Sequence, residues 1–177
     1  MKLLTPPTTE EYAAFYTDYI QRARACRNVL DALRGQIGEI QSTLGHLTDP
    51  QARFRNGPGE WSIKEIVSHL IDGERVFSYR LLRISRKDKT PLPAFEQEDF
   101  VRESGADEVA LGDLLNEFVH LRRANAIAIQ NMSEESASQV GTAGGAAVSA
   151  RALIFMLVGH VEHHMASLRE KYLPNIS

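Results

Sequence analysis

The sequence predicts an all-α fold, a bundle of four long helices, and three observations predict it. Four stretches repeat apolar residues at the helical period. The connections between them are rich in Gly, Pro or Ser, and no segment shows the alternation of a half-buried strand. At 177 residues the chain can bury one sizeable core but not two, so a single domain over residues 1–177 is expected.

The first helix opens at Thr8, where Thr8-Thr9-Glu10-Glu11 fits a capping box. Tyr12, Phe15, Tyr19, Ala23, Cys26 and Leu30 then recur on one face, and the pattern continues past Leu33 and Ile37 towards Leu44. Turn residues fill the connection from Gly45 to Gly59. The second helix has the clearest start: Ser62 as N-cap, Glu65 three residues on, and Trp61 and Ile66 placed as a hydrophobic staple. It runs to about Ser85, with Ile66, His69, Gly73, Val76 and Arg80 on its inner face. Residues 86–106 form a long connection in which Pro91-Leu92-Pro93-Ala94-Phe95 is apolar enough to lie across the bundle. Asp107 is the expected N-cap of the third helix, whose stripe is Leu111, Leu114, Leu115, Phe118, Leu121, Ala124, Ile127 and Ala128. A Gly-, Ser- and Ala-rich connection from Ser133 to Val148 leads to the fourth helix, capped by Ser149.

Composition narrows the functions open to the chain. A formal charge of −3 gives no basic stripe for nucleic acid. The single cysteine, Cys26, excludes an internal disulfide and any Cys-x-x-Cys zinc site, and among helix formers it reads as an inert thiol. Met1-Lys2-Leu3-Leu4-Thr5-Pro6-Pro7 lacks the apolar core of a signal peptide, and no segment reaches the length of a membrane helix. A soluble, cytoplasmic protein acting on a small molecule, without nucleic acid or membrane, is the expectation.

The chemistry concentrates near the C-terminus. An apolar run from Ala152 to Val158 leads into Gly159-His160-Val161-Glu162-His163-His164. On a helix, His160 and His164 project from one face and can share a ligand, while His163 points further round. Imidazoles facing a core need a partner, and a metal is a common one. His69, inward on the second helix, can complete a three-histidine site if the two helices lie level. Counting about 1.5 Å of rise per residue, His69 lies roughly 10 Å from the start of its helix and His164 about 12 Å from the end of its own. The two meet if the helices run antiparallel, which the order up-down-down-up provides. The long connection between the second and third helices permits that order.

Three histidines suit Zn²⁺, Ni²⁺, Fe²⁺ or Cu²⁺ and leave positions open for water or substrate. Glu65 and Asp72, four before and three after His69, are placed to hold its far ring nitrogen or to act as bases; as surface acids they would do neither. Arg80 and Arg122 could orient an anion, but as isolated arginines they are expected to snorkel to solvent. His160-Val161-Glu162 lacks the Pro-Cys-x-x-Cys of zinc deaminases, and the segment is neither His-Glu-x-x-His nor His-x-x-Glu-His. Glu117-Phe118-Val119-His120 matches one half of a di-iron motif without its second copy.

Taken together, Trp61-Ser62-Ile63-Lys64-Glu65 with His69, the middle connection Pro91 to Phe100, and His160-Val161-Glu162-His163-His164 resemble the DinB-like (YfiT-like) metalloenzyme superfamily over nearly the whole chain. The resemblance implies a four-helix bundle of up-down-down-up order, frequently a homodimer, with a divalent metal held by His69, His160 and His164 and with His163 as a neighbour. Zn²⁺ or Ni²⁺ is the expected ion, with Fe²⁺ a third option. It implies either a metal-dependent hydrolase or a transferase or isomerase using a low-molecular-weight thiol, with Glu65 or Asp72 as the acid assisting a hydrolase. The alternatives are a non-catalytic metal-binding scaffold, or histidines that serve packing alone.

Overall fold

The structure is a computed structural model that describes residues 4–176. Met1–Leu3, part of the stretch read as lacking a leader, and Ser177 lie outside these residues. The first predicted helix is in fact two. Thr8 does make the capping box with Glu11, but over a short 3-10 turn, Thr9–Glu11, followed by a second at Ala14–Tyr16. Helix α1 (Thr17–Ala25) then stops, and α2 (Val29–Leu44) restarts after Asn28. The Asn28 side chain accepts from Leu30 N–H at 2.9 Å, offering the backbone a capped start in place of a continuous helix. The break redirects the chain: α1 packs on α8, whereas α2 turns towards α6.

A short helix α3 (Asp49–Ala52) lies within the first connection. Helix α4 (Ile63–Ser85) starts as the sequence predicts, with Ser62 and Glu65 forming the capping box. The crossover after it carries α5 (Gln97–Glu103) and a 3-10 turn at Ala106–Glu108. Asp107 sits in that turn and does not cap the third long helix, α6 (Leu111–Gln130). The distant Asp49 does so instead, accepting from Leu111 N–H at 2.9 Å while it pairs with buried Lys64 at 3.1 Å. The buried stripe of α6 also departs from expectation. After Phe118 it continues through Val119, Arg122, Ala126 and Ile129, leaving Ala124, Ile127 and Ala128 exposed, because a buried arginine takes the place of an aliphatic residue.

A second difference lies between α7 (Glu134–Ala137) and α8 (Ala150–Ser167), where the sequence suggests only a connection. Strands β1 (Val140–Ala143) and β2 (Ala146–Ser149) pair antiparallel around Gly144–Gly145, both with positive φ, the backbone of a tight hairpin turn. Their small residues carry no alternating pattern to read. Leu92 of the crossover joins them, donating to Thr142 O and accepting from Gly144 N–H, so Pro91–Phe95 does lie across the bundle.

Cross-helix contacts fix the direction of each element. Trp61 lies against His164 and Phe77 against His160, so α4 and α8 run antiparallel. Lys64 reaches Asp107 O, Arg75 pairs with Glu117 and Lys87 with Glu135, so α4 and α6 run parallel. Gln36 bonds Val158 O, and Glu39 pairs with Arg169, so α2 runs with α8. The order is up-down-down-up. No helix among the described residues is long and apolar enough to cross a membrane.

The core divides into two apolar clusters. One holds Leu33, Phe77, Ile129 and Leu153–Val158; the other holds Ile40, Ile66, Phe118, Val161 and Met165. Between them every long helix contributes a buried polar residue: Gln36, Glu74, Arg122 and His160. Arg122 therefore does not snorkel. It donates from Nε to Glu74 Oε2 at 3.1 Å, to Gln36 Oε1 at 2.7 Å and to Leu157 O at 2.9 Å, and Asn125 donates to the other Glu74 oxygen. Arg80 is buried too, donating to Pro93 O at 2.7 Å.

Candidate metal centre

Helix α4 supplies His69, and α8 supplies His160 and His164. The antiparallel packing brings all three together, so that one ligand atom from each lies within 4.8 Å of the others. His69 Nε2 and His160 Nε2 are 2.9 Å apart. The three rings stand edge to face, with centroids 4.7–4.9 Å apart. His69 and His160 are only 2% and 3% exposed, and His164 is half-buried.

Glycine makes the approach possible. A Cβ on Gly73 would stand 2.5 Å from His160 Cε1, so the ring occupies space that any other residue would fill. Immediately before His160 on α8, a Cβ on Gly159 would collide with the backbone carbonyl of Tyr19, so α1 can lie directly on α8 and set Tyr19 against the His160 ring.

Burial holds these imidazoles neutral. His69 is pushed down to about 4, chiefly by loss of solvent, and His160 and His164 lie well below the usual histidine range for the same reason, with neighbouring rings adding to it. Neutral imidazole is the ligating form. His163 points away: its Nδ1 lies 2.8 Å from Asp18 Oδ2, on the half-exposed flank of α8.

Neither predicted acid reaches the histidines. The Glu65 carboxylate accepts from Ser62 N–H and pairs with Arg55, so the helix cap consumes it. Asp72 lines a different cleft, between α4 and α6, with Ser68, Leu114 and Glu117. Burial there pushes its carboxyl up. The physical reason is angular: residues three or four from His69 flank it on the helix, but on this α4 one flank faces the capping loop and the other faces α6. His69 Nδ1, the atom they were expected to hold, is buried with no hydrogen-bond partner among the described residues, and so is His164 Nε2.

Beside the histidines is a cleft of about 250 Å³, floored by His69 and His160. Phe15, Tyr16, Tyr19, Phe77 and Phe95 wall it, with Glu96, Gln97 and Glu98 at its mouth. Burial pushes the Tyr19 phenol up to about 12, so it stays protonated. Trp61 packs against the histidines, its ring 4.9 Å from His69 and its indole N–H donating to Glu98 at 3.2 Å. Sequence reasoning missed this lining. Tyr16, Tyr19 and Phe77 look like ordinary members of apolar stripes, and Glu96 and Glu98 sit in a connection without periodicity.

The donor set fits a divalent transition metal. Three neutral nitrogens converge, one of them an orphaned buried Nε2, and no described carboxylate competes with them. Packing alone would leave those buried polar atoms without compensation.

Known proteins agree with this frame. The DinB superfamily matches over residues 32–168. Among solved structures, YfiT from Bacillus subtilis, described as a probable metal-dependent hydrolase with an unusual four-helix bundle topology, is similar at a TM-score of 0.72 and 14% identity, covering 93% of this chain and 90% of that one. A mycothiol-dependent maleylpyruvate isomerase is similar at a TM-score of 0.64 and 15% identity, over 84% of this chain and 63% of that one. The chain thus spans less than two thirds of that isomerase, and at such identities both likenesses are of fold alone. No curated protein matches by sequence. By the extent of the profile match and the shared bundle, the chain belongs to the DinB superfamily.

Proposed function

We propose that His69, His160 and His164 hold one divalent transition metal, Zn²⁺ or Ni²⁺ in the first instance, and that the chain is a metal-dependent enzyme acting on a small molecule in the adjoining aromatic cleft. One observation carries this: three neutral imidazoles, two buried and one half-buried, converge beside an open cleft floored by His69 and His160, with a ring nitrogen left unpartnered. A metal so held acidifies a bound water or a bound thiol. The protein's own residues bind and orient. Trp61, Tyr19 and Phe77 pack around the imidazoles and limit water, and Tyr19 offers a neutral hydroxyl in the cleft.

Between hydrolysis and thiol transfer, the fate of Glu65 and Asp72 favours the thiol. Hydrolysis is helped by a carboxylate base beside the attacking water, but Glu65 is held in the helix cap and Asp72 lies in a different cleft. A thiol held there would need no such base, since it would become the nucleophile by losing its proton to solvent.

The test is elemental analysis of untagged protein, wild type beside His69→Ala, His160→Ala and His164→Ala. About one metal per chain is expected in wild type and almost none in each variant. Wild-type protein that stays empty after reloading with zinc or nickel would end the metal reading. Stabilisation by low-molecular-weight thiols, absent with their alcohol counterparts, would separate thiol transfer from hydrolysis.

A further inference from the structure

The walls of the cleft and its mouth differ in a way that specifies the ligand. The walls are rings: Phe15, 72% exposed, stands at the entrance, with Tyr16 and Phe95 behind it. Glu96 and Glu98 lie at the mouth, and neither has an ion-pair partner among the described residues; Glu98 only accepts from the Trp61 indole. Among the described residues, no lysine or arginine lines the cleft. Arg80, whose guanidinium lies 6.0 Å from the Phe95 ring centre, is engaged, donating to Pro93 O. An exposed aromatic wall beside two unpaired carboxylates attracts cations twice over, through ring faces and through charge. It repels an anion at the same place.

We propose that the cleft selects a ligand with an aromatic or apolar body and a cationic group at its outer end, seated between the rings and the Glu96 and Glu98 carboxylates, and that it rejects the matching carboxylate. This rests on the reading of the cleft as the substrate site and names the substrate class: an amine-bearing molecule whose other end reaches His69 and His160.

Trp61, the only tryptophan, stands at the site and reports its occupancy by fluorescence. The full chain, stripped of metal so that no carboxylate can ligate an ion, is titrated with phenethylamine and with 3-phenylpropionate, which share shape and differ in charge. The amine should bind about tenfold more tightly, and in the Glu96→Gln/Glu98→Gln double variant the two should come within about twofold. The side-chain amide that replaces the Glu98 carboxylate still has a carbonyl to accept from Trp61, so the wall keeps its support. Equal or tighter binding of the carboxylate, no binding of either, or a preference that survives the double substitution would overturn the proposal. Metal content measured on the same preparations before the metal is stripped keeps failure of the metal reading a separate result.

Discussion

Each site histidine is a compromise between burial and protonation. In the unfolded chain an imidazole takes up a proton near pH 6.5, but His69 in the fold resists until about 4. Between those values the unfolded state holds more protons, so the metal-free fold loses stability as pH falls through that window and is indifferent above it. The urea midpoint of chelator-treated protein should therefore be lower at about pH 5 than at about pH 7.5, and the difference should shrink in His69→Asn. A midpoint with the same pH dependence in wild type and variant would contradict the buried, neutral state. Glu11 acts in the same direction through a different cause. Burial raises its carboxyl, but bonds from Arg151 and Thr8 N–H outweigh that and hold it at about 2. Its stability contribution is present above about 4.5 and lost on acidification towards 2.

At the scale of elements, two glycines decide how closely helices approach the site. Gly73→Ala places a methyl where the His160 ring lies, and that ring is packed among Tyr19, Phe77 and His69 with little room to turn. Metal affinity should fall by about tenfold or more, comparable to losing support around a ligand, while the helical circular dichroism is kept. Gly159→Ala acts on the backbone of α1 and cannot be absorbed by a side-chain rotation, so it should lower thermal stability as well as metal affinity. Equal metal binding by Gly73→Ala and wild type would show that His160 has more freedom than its packing implies.

Across the whole molecule, the layer of Gln36, Glu74, Arg122 and His160 ties the four long helices together at one level, directly beside the centre. Arg122 and Glu74 are 0% and 1% exposed, so removing one strands the other as a buried charge. Arg122→Met alone should cost about 3–5 kcal/mol in urea unfolding, and the Arg122→Met/Glu74→Met pair markedly less, since both charges then leave together. Similar losses in the single and double variants would mean that the pair is solvated. The layer also fixes helix register: a shift of α6 by one turn would break bonds from Arg122 to α2, α4 and α8 at once.

The sequence alone determined what is periodic or local: four long helical segments, the Ser62–Glu65 and Ser149 caps, and the facing His160 and His164. It also carried the level of His69, because the rise along a helix is fixed. Tertiary structure decided whatever depends on partners far apart in the chain. Arg122 looks like a surface arginine until Glu74 and Gln36 meet it, Asp49 caps α6 across 62 residues, and Glu65 and Asp72 share a helix face with His69 only until the capping loop and α6 claim them. The hairpin and the aromatic cleft were hidden for the same reason. Small strand residues and loop acids acquire their roles from what packs against them, and periodicity cannot register that.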